Sequence, residues 1–211
     1  MKHLLCAVAA LALPMAMACE QPIANDAAGS DEALTLPGAR TAVMKNAAGA
    51  TVAKVLFARL GSERALVTVT VSFPGIRAGF HGFHIHANDN PANGDGCIAD
   101  PAQPANTHFV SADGHFNPTG QTHGNHGGDT PGVNVLSDGS ALLNYTHEVA
   151  VADLTGHAVI LHEGMDNFGN IPLGTAANQY TANSQDAITA TQNTGNAGNR
   201  IACGVISAPT P

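Results

Sequence analysis

Histidines are the residues of this sequence whose spacing most clearly permits chemistry. The chain contains 11 of them among 211 residues, and two stand in the segment Gly-Phe-His-Ile-His at residues 82–86. On a β-strand successive side chains alternate between faces, so His84 and His86 share one face. The apolar Phe83 and Ile85 then point to the other face. This arrangement offers two imidazoles to one metal ion and leaves a hydrophobic face for the core.

A second group of candidate ligands lies in a glycine-rich segment at residues 115–129. Its members are His115, His123, His126 and Asp129. Three imidazoles and a carboxylate form a suitable tetrahedral set for zinc, which binds nitrogen and carboxylate oxygen. His162 follows the apolar residues 158–161, where it can face the same site. The alternative is a polar loop that contains histidines by chance, but four candidate ligands in one short segment favour a metal site.

The elements that must position these residues are predicted to be short β-strands. Runs of β-type composition lie between turn signals at residues 41–45, 51–59, 65–73, 80–87, 133–136, 140–146, 157–162 and 201–207. No segment shows a sustained helical period. Two long irregular stretches, 88–132 and 164–199, interrupt the strands, and loops of this length tend to be functional. We therefore expect an all-β fold, an eight-stranded Greek-key β-barrel or sandwich of immunoglobulin-like architecture with two long functional loops.

The composition supports this fold class and excludes one class of partner. The chain has 23 Gly, 12 Pro, no Trp and 44% hydrophobic residues, which fits a core of short strands joined by many turns. Lys and Arg number 8 against 16 Asp and Glu, so the formal net charge is −8. An acidic chain is a poor candidate for binding nucleic acid or an anionic membrane surface. We expect no nucleic-acid partner.

The amino-terminal segment has the pattern of an export signal. Residues 1–18 combine a basic start, an apolar run and an Ala-Met-Ala ending, which predicts a cleaved signal peptide. Cys19 follows directly, and two interpretations stay open: simple export, or a bacterial lipoprotein in which Cys19 bears the lipid. Residues 19–38 are small, polar and acidic and are predicted to form a flexible tether. The folded domain is expected at residues 39–208, in the periplasm or tethered to the membrane as a lipoprotein.

Cysteine usage fits an exported domain. Cys6 lies in the predicted signal peptide and Cys19 at the predicted mature terminus. Cys97 and Cys203 then remain as a pair in the folded domain. In an exported protein such a pair is most simply one disulfide.

Several motifs in combination resemble those of the copper/zinc superoxide dismutase family. They are GFHIH, HFNP, H-x-x-D, LHEGMDNFG and GNAGNRIACGVI, they occur in the family's order, and the resemblance covers residues 39–206. The resemblance implies a copper ion bound by His84, His86, His115 and His162. It also implies a zinc ion bound by His115, His123, His126 and Asp129. In this scheme His115 bridges the two metals.

Two further residues match positions that have a role in the family. Asp166 matches a carboxylate that hydrogen-bonds one copper ligand, here His84, and one zinc ligand, here His123; the alternative is an ordinary exposed loop aspartate. Arg200 matches the family's anion-guiding arginine. No Lys or Arg occurs in residues 78–199, which contain 11 Asp and Glu. The alternative for Arg200 is a surface arginine that offsets these acidic residues.

The resemblance implies an enzyme that disproportionates superoxide to dioxygen and hydrogen peroxide in antioxidant defence of the cell envelope. Copper would cycle between two oxidation states, Arg200 would guide the anion, and His115 would provide a proton route to the second superoxide. Two rival hypotheses are a module that buffers or delivers copper and zinc, and a structural barrel with a vestigial site. The complete ligand set and the arginine favour the enzyme. Both a monomer and a homodimer stay open.

Three features depart from the family's pattern. The stretch 178–194, rich in Asn, Gln, Thr and Ala, has no counterpart that indicates a role. Only two residues separate His123 from His126, where many members have a longer insertion, so we expect the zinc half of the site to differ most. The segment before Arg200 is long and lacks lysines, which predicts weaker electrostatic steering of superoxide.

Overall fold

The computed structural model describes residues 36–168 and 185–209. The β-strands within them are β1 (Arg40–Lys45), β2 (Thr51–Leu60), β3 (Arg64–Ser72), β4 (Gly79–His81), β5 (Phe83–His86), β6 (Val133–Val135), β7 (Ser140–His147), β8 (Ala158–His162) and β9 (Arg200–Val205). The predicted signal peptide, Cys19 and most of the predicted tether lie outside the described residues.

Seven of these strands form one curled sheet. Its order is β5-β8-β9-β1-β2-β3-β7, and each neighbouring pair is antiparallel. β4 pairs with β6 in a two-stranded sheet, and β6 also contacts β7. The period-two pattern of β3 buries Val67, Val69 and Val71 in the core on the inner face of the curled sheet. The predicted β-barrel class is confirmed.

One predicted strand is in fact two. The run predicted at residues 80–87 breaks at Gly82, whose N–H donates to the Gly164 carbonyl at 2.7 Å instead of joining a ladder. β4, before the break, pairs with β6, and β5, after it, pairs with β8. The break lets consecutive segments enter different sheets, which the continuous β-type composition did not indicate.

One segment forms a helix although the sequence shows no sustained helical period. An α-helix, α1 (Gln185–Thr194), lies in the second long loop. Its residues are mostly polar, so they show no clear apolar stripe from which periodicity could predict a helix. The cue is at its end: Gly195 has φ +64°, and its N–H donates to the Thr191 carbonyl at 3.0 Å, as in a helix C-terminus closed by glycine.

Strand β5 lies at one end of the curled sheet, and the glycine-rich loop covers its free edge. The Ile85 N–H donates to the Gly128 carbonyl at 2.8 Å, and the Ile85 carbonyl accepts from the Phe116 N–H at 2.9 Å. A Cβ at position 128 would lie 2.1 Å from the Ile85 oxygen, so glycine is needed for this approach. Two isolated bridges continue the pairing, between His84 and Asp129 and between His86 and His115.

Candidate metal centre

Two neighbouring strands and the glycine-rich loop bring four buried histidines together. β5 provides two of them, and its Phe83 and Ile85 lie in the hydrophobic core on the opposite face, as the alternation predicted. β8 provides a third at its end, and the loop provides the fourth. One ring nitrogen of each lies within 4.8 Å of the others, in the set His84, His86, His115 and His162.

Each of these histidines has one buried nitrogen with no hydrogen-bond partner among the described residues. These atoms are Nδ1 of His84 and Nε2 of His86, His115 and His162. A buried polar atom without a partner costs free energy, so four of them in one place require an explanation. Four imidazole lone pairs within reach of one another fit a copper ion.

The other nitrogens of three of these rings fix their orientation and tautomer. His84 Nε2 donates to Asp166 Oδ2 at 2.8 Å, and His86 Nδ1 donates to the Asp113 carbonyl at 2.8 Å. His162 Nδ1 donates to the Gly198 carbonyl at 3.1 Å. Because the proton is committed to these bonds, the lone pair of each ring lies on the nitrogen that has no partner.

Burial keeps these rings neutral, which is the state that binds metals. Desolvation lowers the pKa of His84 and His86 well below the ordinary value. The same cause lowers the pKa of His162 to about 3. At neutral pH the three imidazoles are therefore uncharged and offer lone pairs without first losing a proton.

The second predicted set also converges, on one carboxylate oxygen. Asp129 Oδ1 lies 2.8 Å from His115 Nδ1, 3.0 Å from His123 Nδ1 and 3.3 Å from His126 Nδ1. The Nδ1 atoms of His115 and His126 are 3.1 Å apart. Ligands about 2.0–2.1 Å from a tetrahedral zinc ion lie about 3.3 Å from one another, so these separations fit zinc. The short His123–His126 spacing does not prevent the four ligands from meeting.

Asp129 is held as a carboxylate by its neighbours. Burial acts to raise its pKa, but hydrogen bonds from His115 and His123 outweigh burial and hold the pKa well below its usual range. Its other oxygen, Oδ2, accepts from the backbone N–H groups of Gly124 at 2.6 Å and His126 at 2.9 Å. The loop backbone thus turns around the carboxylate that completes the set.

His115 belongs to both sets. Its Nδ1 lies in the group around Asp129, and its Nε2 is one of the four nitrogens without a partner beside β5. The two ring nitrogens of an imidazole point in opposite directions, so one ring can face two metal ions at once. His115 is therefore the residue at which the two ligand sets meet.

Arg200 lies beside the first set. It is the cross-strand partner of His162 between β9 and β8. Its guanidinium donates to the Phe109 carbonyl at 2.6 Å and to the Asp113 carbonyl at 2.5 Å. The first long loop thus holds Arg200 next to the set of four histidines. In this position its guanidinium can bind a small anion.

A disulfide joins the same loop to the same strand. Cys97 and Cys203 are bonded with an S–S distance of 1.95 Å, which confirms the predicted pair. Cys203 lies three residues after Arg200 in β9. The bond therefore attaches the loop that holds the guanidinium to the strand that carries it.

Asp166 makes one of its two predicted contacts. It bonds His84, as given above, and burial raises its pKa to about 6. The Asp166 Oδ1 and His123 Nε2 atoms are buried and have no partner among the described residues. Gly195 at the end of α1 lies between them: a Cβ there would stand 2.5 Å from His123 Nε2 and 2.9 Å from Asp166 Oδ1.

Three contacts around the second set could not be predicted from the ligand pattern. The His123 N–H donates to the Gln192 carbonyl of α1 at 2.7 Å. The Phe168 ring stacks on the His123 ring at 5.2 Å between centroids. Gly195 closes the helix against the same histidine. Helix α1 and its end therefore cover the ligand whose spacing is unusual, and the glycine after a polar segment was the available signal for it.

The remaining histidines of the folded domain have other surroundings. His81 is buried, and its ring nitrogens lie 2.8 Å from the carbonyl oxygens of His162 and Arg77, contacts that fit a structural role. His108 is exposed. His157 Nδ1 donates to the Ala87 carbonyl at 2.6 Å, and His147 is buried against the Gly127 backbone.

The fold and the site together define a β-barrel metalloprotein with two histidine-rich ligand sets that share one residue. The family model for copper/zinc superoxide dismutase (SODC) matches residues 51–206. A Cu-Zn superoxide dismutase of Mycobacterium tuberculosis is 36% identical over 163 residues, covering 72% of this chain and 65% of that protein. An extracellular Cu-Zn superoxide dismutase of Onchocerca volvulus is 30% identical over 179 residues, covering 80% of this chain and 76% of that protein. This chain belongs to the copper/zinc superoxide dismutase family.

A solved structure shares the fold. The crystal structure of the clock protein EA4 superposes with a TM-score of 0.58 at 23% identity, covering 83% of this chain and 97% of that chain. The chain spans 65% of the length of the mycobacterial relatives it matches. Within the described residues, no helix combines the length and the apolar character needed to cross a membrane.

Proposed function

We propose that this protein is a superoxide dismutase, which converts two superoxide anions and two protons to dioxygen and hydrogen peroxide. The main support is the placement of His115: its Nε2 lies with one nitrogen from each of three other imidazoles, atoms that have no hydrogen-bond partner among the described residues, and its Nδ1 lies in the set around Asp129. When bound, copper supplies one-electron redox chemistry, and zinc supplies a fixed positive charge with no redox change.

In this proposal the ligands divide between the two ions. Copper is held by His84, His86, His115 and His162. Zinc is held by His115, His123, His126 and Asp129. Nε2 of His115 is the atom at which the chain takes up a proton and delivers it to the second superoxide. The contact from His115 Nδ1 to the Asp129 carboxylate supports this role, because it fixes which nitrogen faces which set.

Two neighbouring residues complete the proposed machinery. Arg200 attracts and orients superoxide through a fixed charge and two aligned donors. Asp166 orients His84 by accepting its Nε2 proton at 2.8 Å. Because residues 78–199 contain no Lys or Arg, Arg200 is the positive side chain nearest in sequence to the second long loop.

We also propose that the protein is exported and protects the cell envelope against superoxide. The disulfide supports export, since such bonds persist in oxidising compartments. A relative is named as extracellular. Removal of residues 1–18 would place Cys19 at the mature terminus, either free in the periplasm or lipid-anchored. An intact-mass measurement of the mature protein distinguishes these two forms.

Replacing Arg200 with alanine tests the enzymatic proposal. We expect the second-order rate constant for superoxide to fall by about ten- to a hundredfold, because the anion loses its fixed positive charge and its donors. The measurement is superoxide decay by pulse radiolysis or stopped flow on metal-loaded protein, with copper and zinc content determined for each variant.

Two control variants separate the effect of position from the effect of charge. Arg200→Lys keeps the charge without the paired donors and is expected to retain an intermediate rate. Arg64→Ala removes an exposed arginine on β3 and is expected to leave the rate unchanged. Wild-type protein that binds one copper and one zinc without turnover would contradict the enzymatic proposal and support a metal-buffering module.

Replacing Gly195 with alanine tests the role of α1 at the zinc set. The added methyl would lie 2.5 Å from His123 Nε2, so we expect zinc affinity to fall by about tenfold or more. Chelator competition measures that affinity. Gly156→Ala is the matched control, because Gly156 also has positive φ but nothing within 4 Å of its Cβ position. Equal zinc affinities in the two variants would contradict the proposed role of the contact between Gly195 and His123.

A further inference from the structure

Asp113 has a backbone conformation that is nearly restricted to glycine. Its dihedral angles are φ 63° and ψ −159°, at the end of the 3₁₀ turn Val110–Ala112. An L-residue with a side chain pays a conformational penalty in this region, and such residues persist only where their surroundings hold them. The next residue in the chain is Gly114. Asp113 therefore requires contacts that offset the strain.

The conformation directs one carbonyl oxygen at two functional groups. The Asp113 oxygen accepts from His86 Nδ1 at 2.8 Å and from the Arg200 guanidinium at 2.5 Å. The first bond sets the tautomer and ring orientation of His86, one of the proposed copper ligands. The second holds the arginine that faces the anion. A single peptide group thus sets the relative placement of both.

The Asp113 carboxylate supplies the contacts that hold this conformation. Its Oδ2 accepts from the backbone N–H groups of Asp89 at 2.9 Å and Asn90 at 3.0 Å. Its Oδ1 accepts from the Asn93 side-chain amide. These donors lie in the segment that directly follows β5, the strand that carries His86. The carboxylate therefore ties the strained peptide to the end of the ligand strand.

We propose that Asp113 is a positioning residue for the copper-side ligand and the anion-binding arginine, and that its carboxylate fixes the carbonyl they share. This inference rests on the proposed function only for the identity of the metal and the anion. Coulomb's law makes an opposite prediction for a residue that acts by charge alone, because a nearby carboxylate repels an anion and its removal would strengthen anion binding.

Three substitutions at position 113 test the proposal by separating three effects: the hydrogen bonds of the carboxylate to the segment after β5 (the anchor), the negative charge, and the backbone strain. Asp113→Gly relieves the backbone but removes the anchor; Asp113→Ala removes the anchor and keeps the strain. Asp113→Asn keeps an acceptor for the Asp89 and Asn90 amides and removes the charge. Asp100→Ala is the matched control, since the Asp100 side chain accepts from a nearby backbone N–H in the same loop without touching a ligand.

The first readout is azide binding to the copper-loaded protein, followed by visible absorption, together with its copper EPR spectrum. We expect azide affinity to fall about tenfold in Asp113→Ala and at least about threefold in Asp113→Gly, with altered EPR parameters in both. Asp113→Asn and Asp100→Ala should retain the wild-type spectrum, and Asp113→Asn should bind azide as well as the wild type or better. Equal strengthening in all three position-113 variants would overturn the proposal in favour of charge alone.

The second readout needs neither metal nor turnover. In metal-free protein, the amides of Asp89 and Asn90 should exchange hydrogen slowly in the wild type and in Asp113→Asn, and about tenfold or more faster in Asp113→Gly. Unchanged exchange in Asp113→Gly would overturn the anchor. If the metal-loaded wild-type protein shows no superoxide turnover but the variants differ in hydrogen exchange as expected, the proposed function is contradicted and the positioning role stays supported.

Discussion

Replacing His115 with alanine is expected to abolish superoxide turnover and to lower the content of both metals. The ring contributes to both ligand sets, so its loss leaves three ligands in each, and removes the proposed proton donor. We expect the rate constant for superoxide to fall by about a thousandfold or more. Removing a residue that only hydrogen-bonds a metal ligand costs about 10–100-fold in metal affinity. Because His115 is itself a ligand, we expect zinc affinity to fall by more than about a hundredfold.

The measurement combines superoxide decay with elemental analysis of copper and zinc after loading. His108→Ala is the control, because His108 lies in the same long loop, is exposed, and its Nε2 hydrogen-bonds the carbonyl oxygens of Asp100 and Gln103. It should keep the wild-type rate and metal content. Full zinc content with undiminished turnover in His115→Ala would contradict the shared ligand.

Replacing Cys97 and Cys203 together with serine is expected to give the largest loss of stability. The bond closes a separation of 106 residues, and the chain-entropy model gives about 4–5 kcal/mol for a loop of that length. We therefore expect the free energy of unfolding to fall by several kcal/mol, as measured by urea or thermal unfolding. The Cys97 and Cys203 environment is apolar, packed with Phe109 and Ala158, so serine adds a small polar cost.

This double variant should also affect Arg200, since the bond attaches the Phe109 loop to β9. We expect lower turnover even under conditions where the variant is fully folded. Leu60→Ser introduces a serine at an exposed side chain at the end of β2, away from the disulfide. It is the control variant and should unfold like the wild type. A free energy of unfolding within about 1 kcal/mol of the wild type would contradict the stabilising role of the bond.

Much of the fold could be predicted because its signals are local. The β-type run at residues 65–73 predicted β3, and the two histidines of β5 lie on the face that alternation assigns to them. The disulfide followed from the number of cysteines that remain after the predicted leader. The strand break at Gly82 could not be predicted, because it depends on a bond to Gly164, which is distant in sequence.

The metal ligands could be proposed from the sequence, but the groups that hydrogen-bond and orient them could not. Metal-binding side chains belong to a few residue types, so spacing and a family resemblance suffice to select them. The residues that orient them act through backbone groups, which every residue has: the Asp113 carbonyl, the Gly198 carbonyl and the Gln192 carbonyl. Helix α1 could not be predicted for a related reason. It has no apolar stripe of its own, and its role follows from its contacts with the zinc set.

The loop over β5 also protects the sheet from pairing with other molecules. An edge strand exposes a row of N–H and C=O groups that can template association with another chain. Here both backbone groups of Ile85 are bonded to the loop, through Gly128 and Phe116. The segment that supplies the zinc-type ligands is thus the same one that occupies this edge. Conditions that release the loop would uncover the backbone groups of β5, so we expect the protein to associate edge to edge more readily when the ligands of this loop are not held by metal.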